Sequence, residues 1–136
     1  MIVDASVAFK WLVEEPDTDL ALSWLRHDDL WAPSILVAEV GNALAKRIRG
    51  GELEAEGAPE KLARIEDMVT IIEGRMPVAL ALSMSLELMH SFYDCLYLAL
   101  CEVRDEQLLT ADQVFAKKCE ASQWSGRVRL LERYDG

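Results

Sequence analysis

The chain has 136 residues, of which 51% are hydrophobic and 28% charged, and its formal net charge is −10. That length suits one domain, residues 1–136, with a core able to stand alone, and no apolar run reaches the roughly 18 residues that a membrane-spanning helix requires. The charge argues against general affinity for nucleic acid, which rests on Lys and Arg, and it admits cations and basic partners instead.

"MIV" opens the chain as a short strand, and "SVAFKWLVEE" follows with helical spacing and Ser6 as its expected N-cap. "PDTDLALSWLRHDD" predicts a helix from about Asp17, and "LWAP" predicts a short strand. "SILVAEVGNALAKRIRGG" is the clearest helix, capped by Ser34 and ended by Gly50 and Gly51 after the basic turn of Lys46, Arg47 and Arg49. "ELEAEGAPEKLARIEDMVTIIEG" predicts a loop and then a helix from about Pro59, and "VALALSMSLELM" and "SFYDCLYLALCEV" two further helices. "QLLTA" is a strand, "DQVFAKKCEAS" a helix and "RVRLL" a last strand. Short strands separated by helices indicate an α/β domain with a mostly parallel sheet. Sites in such sheets form beyond the carboxyl ends of the strands, which is where Asp4 and Asp112 fall.

The N-terminal "MIVDAS" lacks the basic region and long apolar core of a secretion signal. Cys95, Cys101 and Cys119 are odd in number and have no CxxC spacing, so they read as buried apolar residues of a protein kept in a reducing cytoplasm. Trp11, Trp24, Trp31 and Trp124 read as core. His27 and His90 are too isolated to nominate as ligands or bases.

Of 24 acidic residues, most sit in mixed, solvated stretches, and four do not. Asp4 is the lone charge before Lys10. Glu39 is the lone charge between Ser34 and Ala45. Asp94 is the lone acid between His90 and Glu102, and Asp112 follows the apolar "LLTA". Isolated in a core, each would be destabilising. Convergence on a divalent cation removes that penalty, and Mg²⁺ or Mn²⁺ takes oxygen ligands. Ser6, Asn42 and Thr110 stand beside three of these acids as supporting groups, and Gly41 would let the backbone pack closely there. Plainer roles compete: Thr110 and Gln113 match a capping box, Glu39 could pair with an arginine, and Asn42 could be a buried hydrogen-bonding residue.

Four motifs, "VDASVAFKWLVEE", "APSILVAEVGNAL", "YDCLYLALCE" and "LLTADQVF", occur in that order, and together the sequence resembles the PIN-domain nucleases, in particular the VapC-like toxins of toxin–antitoxin pairs. The resemblance implies a three-layer α/β/α sandwich and a Mg²⁺- or Mn²⁺-dependent endoribonuclease leaving a 3′-hydroxyl and a 5′-phosphate. It assigns catalysis and metal binding to Asp4, Glu39, Asp94 and Asp112. It implies an RNA substrate, a homodimer and a cognate VapB-like antitoxin with a flexible tail. On physical grounds an Arg or Lys of that tail would reach the acids, and Phe9, Trp11 and Leu44 are candidates for its docking groove, though each fits plain core as well. Ala116 and Lys117 stand where the family often has a further acid. "AKRIRGG" offers a basic edge for RNA. A phosphoacceptor domain would need an acidic pair after the first strand, which Asp4 does not form. A catalytically inactive module that binds a protein or RNA partner is the other reading, and the presence of all four acids weighs against it.

Overall fold

The computed structural model describes residues 1–27 and 29–136. Asp28, at the end of the stretch predicted as the second helix, lies outside the described residues. The strands are β1 (Ile2–Val3), β2 (Trp31–Pro33), β3 (Thr70–Ile72), β4 (Leu108–Thr110) and β5 (Val128–Leu130). The helices are α1 (Ala5–Leu12), α2 (Thr18–Ser23), α3 (Ile35–Arg49), α4 (Ala58–Ala63), α5 (Ile65–Met68), α6 (Val78–Leu88), α7 (Phe92–Arg104) and α8 (Gln113–Glu120), with a 3₁₀ turn at Trp24–Arg26.

All five strands pair in parallel in the order β3-β2-β1-β4-β5. Ile2 lies opposite both Trp31 and Leu108, so the two-residue β1 is the centre of the sheet. A central parallel strand is buried on both faces, and Ile2, Val3, Leu108 and Leu109 are wholly buried. The chain steps from β1 to β2 to β3 on one side, then crosses back to β4 and β5. Right-handed crossovers therefore put α1–α5 on one face and α6–α8 on the other, consistent with α1 packing on α3 and α6 on α7. This is the expected α/β/α sandwich. The order reverses between β1 and β4, and in open parallel sheets that switch point, at the carboxyl ends of the strands, is where ligands bind.

Several local expectations differ from the structure. The helix predicted from Pro59 breaks into α4 and α5, and its tail is instead β3, where the β-branched Thr70, Ile71 and Ile72 pair with β2. Ser6 is not the cap of α1, because Asp4 fills that position and accepts from Ser6 N and Val7 N. Ser34 occupies the N-cap of α3 without a side-chain cap bond. A Cβ on Gly41 would meet Leu62 Cδ2 of α4 at 3.1 Å, so this glycine accommodates a side chain rather than a neighbouring backbone. Phe9, Trp11 and Leu44 are buried and form core rather than a docking groove. The cysteines are free and buried as expected, and burial pushes the Cys95 thiol up to about 11. Trp11, Trp24 and Trp124 are buried and Trp31 packs against the core. Among the described residues no helix is long and apolar enough to cross a membrane.

Candidate metal centre

The acids are placed by helix starts. Asp4 follows β1 and is the N-cap of α1, and Asp112 follows β4 and is the N-cap of α8, its Oδ1 accepting from Phe115 N at 3.0 Å. Asp94 sits in the first turn of α7, whose N-cap Ser91 accepts from Tyr93 N. Asp94 is therefore half-buried at a helix start, not inside a buried helix as the apolar run suggested. Helix N-termini carry partial positive charge, so this arrangement tempers repulsion among the carboxylates. Glu39 enters from the second turn of α3, half-buried.

Hydrogen bonds pin one oxygen of each carboxylate. Asp4 Oδ1 accepts from Ser6 N at 3.0 Å, Ser6 Oγ at 2.5 Å and Val7 N at 3.3 Å. Ser6 Oγ in turn accepts from Ala111 N at 2.9 Å and lies 3.3 Å from Thr110 Oγ1, which ties the end of β1 to the end of β4. Thr110 Oγ1 accepts from Asp112 N at 3.1 Å, so Asp112, not Thr110, caps the helix. Tyr97 donates its hydroxyl to Glu39 Oε1 at 2.7 Å. His90 Nε2 lies 2.6 Å from Asp94 Oδ2 and 3.9 Å from Asp112 Oδ2. The second oxygens of Glu39, Asp94 and Asp112 accept no hydrogen bond from any described residue.

The electrostatics join the four acids. Burial pushes the Asp4 carboxyl up from 3.8 to about 7, against hydrogen bonds from Ser6 and Thr110, and the Asp94 charge adds to the rise. Burial also raises Glu39, with Asp94 again contributing and the Tyr97 hydrogen bond opposing. Asp94 is raised by burial and by Asp112, and His90 opposes. Asp94 is thus the carboxylate through which the others are coupled. The tightest grouping among the described residues is His90, Asp94 and Asp112, whose donor atoms lie within 4.8 Å of one another. Asp4 and Glu39 lie outside that group and reach it through the charge of Asp94. Asn42 is exposed, not buried, and shares with Glu39, Ile35, Ala38 and Tyr93 a shallow cleft of about 450 Å³.

Two residues of this centre escaped the sequence reading. His90 is not isolated: a left-handed turn at Met89, φ 51°, brings it beside Asp94, and its i−4 spacing from Asp94 was the available signal. Tyr97 belongs to the quoted "YDCLYLALCE" but was given no role, and it is almost wholly buried against Glu39.

The donor set fits a hard divalent cation. It consists of carboxylate oxygens, those of Asp4, Glu39 and Asp94 made unfavourable as bare charges by burial, each oriented by a protein donor, with oxygens to spare.

A family model described as PIN domain matches residues 1–121. Over 119 residues the chain is 32% identical to proteins named Ribonuclease VapC1 from two strains of Mycobacterium tuberculosis, CDC 1551 / Oshkosh and ATCC 25618 / H37Rv, covering 85% of this chain and 87% of theirs. The fold is similar to that of the crystal structure of PAE2754 from Pyrobaculum aerophilum, with a TM-score of 0.73 and 22% identity, over 96% of this chain and 87% of that one.

Proposed function

The chain belongs to the PIN-domain family, and from that premise we propose that it is an endoribonuclease dependent on Mg²⁺ or Mn²⁺, the toxin of a VapBC-type pair. The observation that carries this reading is the set of four carboxylates coupled at the switch point of the sheet, each with one oxygen pinned by a protein donor. Asp4, Glu39, Asp94 and Asp112 are the proposed metal-binding and catalytic residues, with Ser6, Asn42 and Thr110 in support. When bound, the ion supplies Lewis-acid stabilisation of phosphodiester charge and acidifies an attacking water. The protein's own part is orientation: Ser6 fixes Asp4, Tyr97 fixes Glu39, His90 fixes Asp94, and the start of α8 fixes Asp112. No histidine or 2′-hydroxyl need act as base.

The RNA backbone has a path from this centre along α3. Glu39, Asn42, Lys46 and Arg49 are spaced at i, i+3, i+7 and i+10 and share one helix face. Lys46 and Arg49 are exposed at its far end. Arg47, by contrast, is held by Glu15 and Glu52 and lies over the Phe9 ring, so the basic edge is narrower than the sequence suggested.

The reading extends to the rest of the chain. Residues 1–136 form one domain. A second copy docks on α6, where Val78, Leu82 and Leu86 repeat every four residues as exposed apolar side chains. A basic VapB-like antitoxin tail places an arginine against the acids, because guanidinium pairs with carboxylates in two parallel hydrogen bonds. The cytoplasm is the proposed compartment, in keeping with three free cysteines.

The deciding experiment is cleavage of single-stranded RNA by the purified protein with Mn²⁺ or Mg²⁺, with EDTA, and by Asp94→Asn. Cleavage that requires metal and falls to background in the folded variant is expected. A wild type that is inert with every divalent ion, yet binds RNA or a partner, would establish a binding module instead.

A further inference from the structure

His90 stands in a setting more elaborate than a surface histidine needs. Its backbone N–H donates to Ser85 O at 3.2 Å, and its carbonyl accepts from Ser85 Oγ at 2.6 Å. The ring stacks on Phe115 with centroids 4.6 Å apart and planes 26° from parallel, and Phe115 is wholly buried. Lys118, one turn further along α8, donates to Met89 O at 2.7 Å and places Nζ 3.3 Å from His90 Nδ1. On the opposite side of the ring, Nε2 lies 2.6 Å from Asp94 Oδ2.

The lysine contact bears on the direction of the hydrogen bonds. A lysine ammonium has protons to give and no lone pair to accept with. Taken as a hydrogen bond, the 3.3 Å contact makes Nδ1 the acceptor, which places the ring proton on Nε2, facing Asp94. A nitrogen that bears this proton has no lone pair for a metal. His90 is thus excluded as a ligand in this arrangement, although its atoms lie within 4.8 Å of the donor atoms of Asp94 and Asp112. The donor instead occupies Oδ2 of Asp94 and leaves Oδ1 unclaimed.

We infer that Lys118 and His90 are positioning residues that hold the Asp94 carboxylate in its ion-binding orientation, the chain of donation running from Lys118 Nζ to His90 Nδ1 and from His90 Nε2–H to Asp94 Oδ2. The inference rests on the proposed metal site and adds to it Lys118 and the direction in which His90 acts on Asp94. It gives a role in the centre to Lys118, on the helix where Ala116 and Lys117 stand in place of a further acid. Partners that orient metal ligands in this way are worth about 10–100-fold in metal affinity.

Two measurements on the metal-free and Mn²⁺-titrated protein test it. With only two histidines in the chain, long-range ¹H–¹⁵N spectra at mildly alkaline pH, assigned through His90→Gln, report the ring tautomer directly. A proton on Nε2 is expected, and a proton on Nδ1 or on both nitrogens overturns the relay. Mn²⁺ affinity is then followed by electron paramagnetic resonance. His90→Leu, which keeps an apolar contact with Phe115 but has no donor, should bind about 10–100-fold more weakly than the wild type, with the metal-free melting temperature little changed. His90→Gln, whose amide can donate from nearly the same place, should recover most of the affinity. Equal or tighter binding by His90→Leu, or no recovery by His90→Gln, overturns the inference. If His90→Leu does not fold, His90→Asn carries the affinity test, because its shorter side chain cannot reach Asp94. A wild type that binds no Mn²⁺ while the tautomer is as stated would refute the metal site and leave the relay as a structural feature.

Discussion

Asp4 gives the most quantitative test of the buried acids. Its carboxyl is pushed from 3.8 to about 7, chiefly by burial. The folded state therefore binds a proton more tightly than the unfolded chain does. The sign follows: the group's contribution to stability is fully present below about pH 4, declines as pH rises from about 4 to about 7, and is lost above that. A shift of about 3 units at 1.36 kcal/mol per unit gives about 4 kcal/mol. Glu39 and Asp94 are raised too, and they share the proton load, so a measurable difference of about 2–4 kcal/mol is expected. Asp4→Asn keeps the oxygen that accepts from Ser6 and Val7 and removes the charge. In EDTA, urea unfolding should show the variant and the wild type within about 1 kcal/mol near pH 4, and the variant ahead by about 2–4 kcal/mol near pH 8. Adding Mg²⁺ should close or reverse the gap, since the variant lacks a proposed ligand. Parallel pH profiles for the two proteins in EDTA would refute the claim that Asp4 is a buried, proton-holding carboxyl.

Ion uptake should be coupled to proton release, because the carboxyls that hold protons in the metal-free protein must give them up. Calorimetry near pH 6.5 in buffers of different ionisation enthalpy should show an apparent heat that depends on the buffer, and Mn²⁺ should raise the melting temperature; buffer-independent heat with no thermal shift would count against both. Tyr97→Phe removes the donor to Glu39 Oε1. It should cost about 1–2 kcal/mol of stability and reduce cleavage, while RNA binding by the metal-free protein stays unchanged.

The candidate site was legible in the sequence where an acid stood alone among apolar neighbours. Asp4, Glu39 and Asp112 were legible because strand ends and one helix face are readable from periodicity, and a lone charge there demands a partner. Asp94 was legible as an anomaly for a partly wrong reason: the run after it is buried, but Asp94 itself occupies the first turn of α7, where the helix dipole favours an acid. His90 was overlooked because it precedes that helix, so its i−4 spacing from Asp94 is not a helical one, and it reaches Asp94 through the left-handed turn at Met89. β3 was hidden because "VTII" continues the apolar pattern of α5 without a break, and its identity as strand comes from pairing with β2. Phe9, Trp11 and Leu44 could not be sorted from a docking surface by pattern alone, since an amphipathic stripe looks the same whether it meets its own sheet or a partner.

The net charge of −10 has to be reconciled with a phosphate-bearing substrate, and the reconciliation makes a measurable claim. Much of the positive charge is already neutralised within the fold: Lys10 lies between Glu15 and Asp17, Arg47 between Glu15 and Glu52, and Arg127 between Glu102 and Asp105. What remains on the face that carries Glu39 and Asn42 is Lys46 and Arg49, the latter about 15 Å along the helix from Glu39 at 1.5 Å per residue. A track of two cations neutralises about two phosphates. For a single strand the slope of log affinity against log salt is about −0.7 per contact, so about −1.4 is expected here, far shallower than for a dedicated nucleic-acid-binding protein. Lys46→Ala together with Arg49→Ala should bring the slope near zero and raise KM while leaving kcat close to wild type, because neither residue touches the acids. A wild-type slope steeper than about −3 would mean that the RNA crosses a basic surface other than this face of α3.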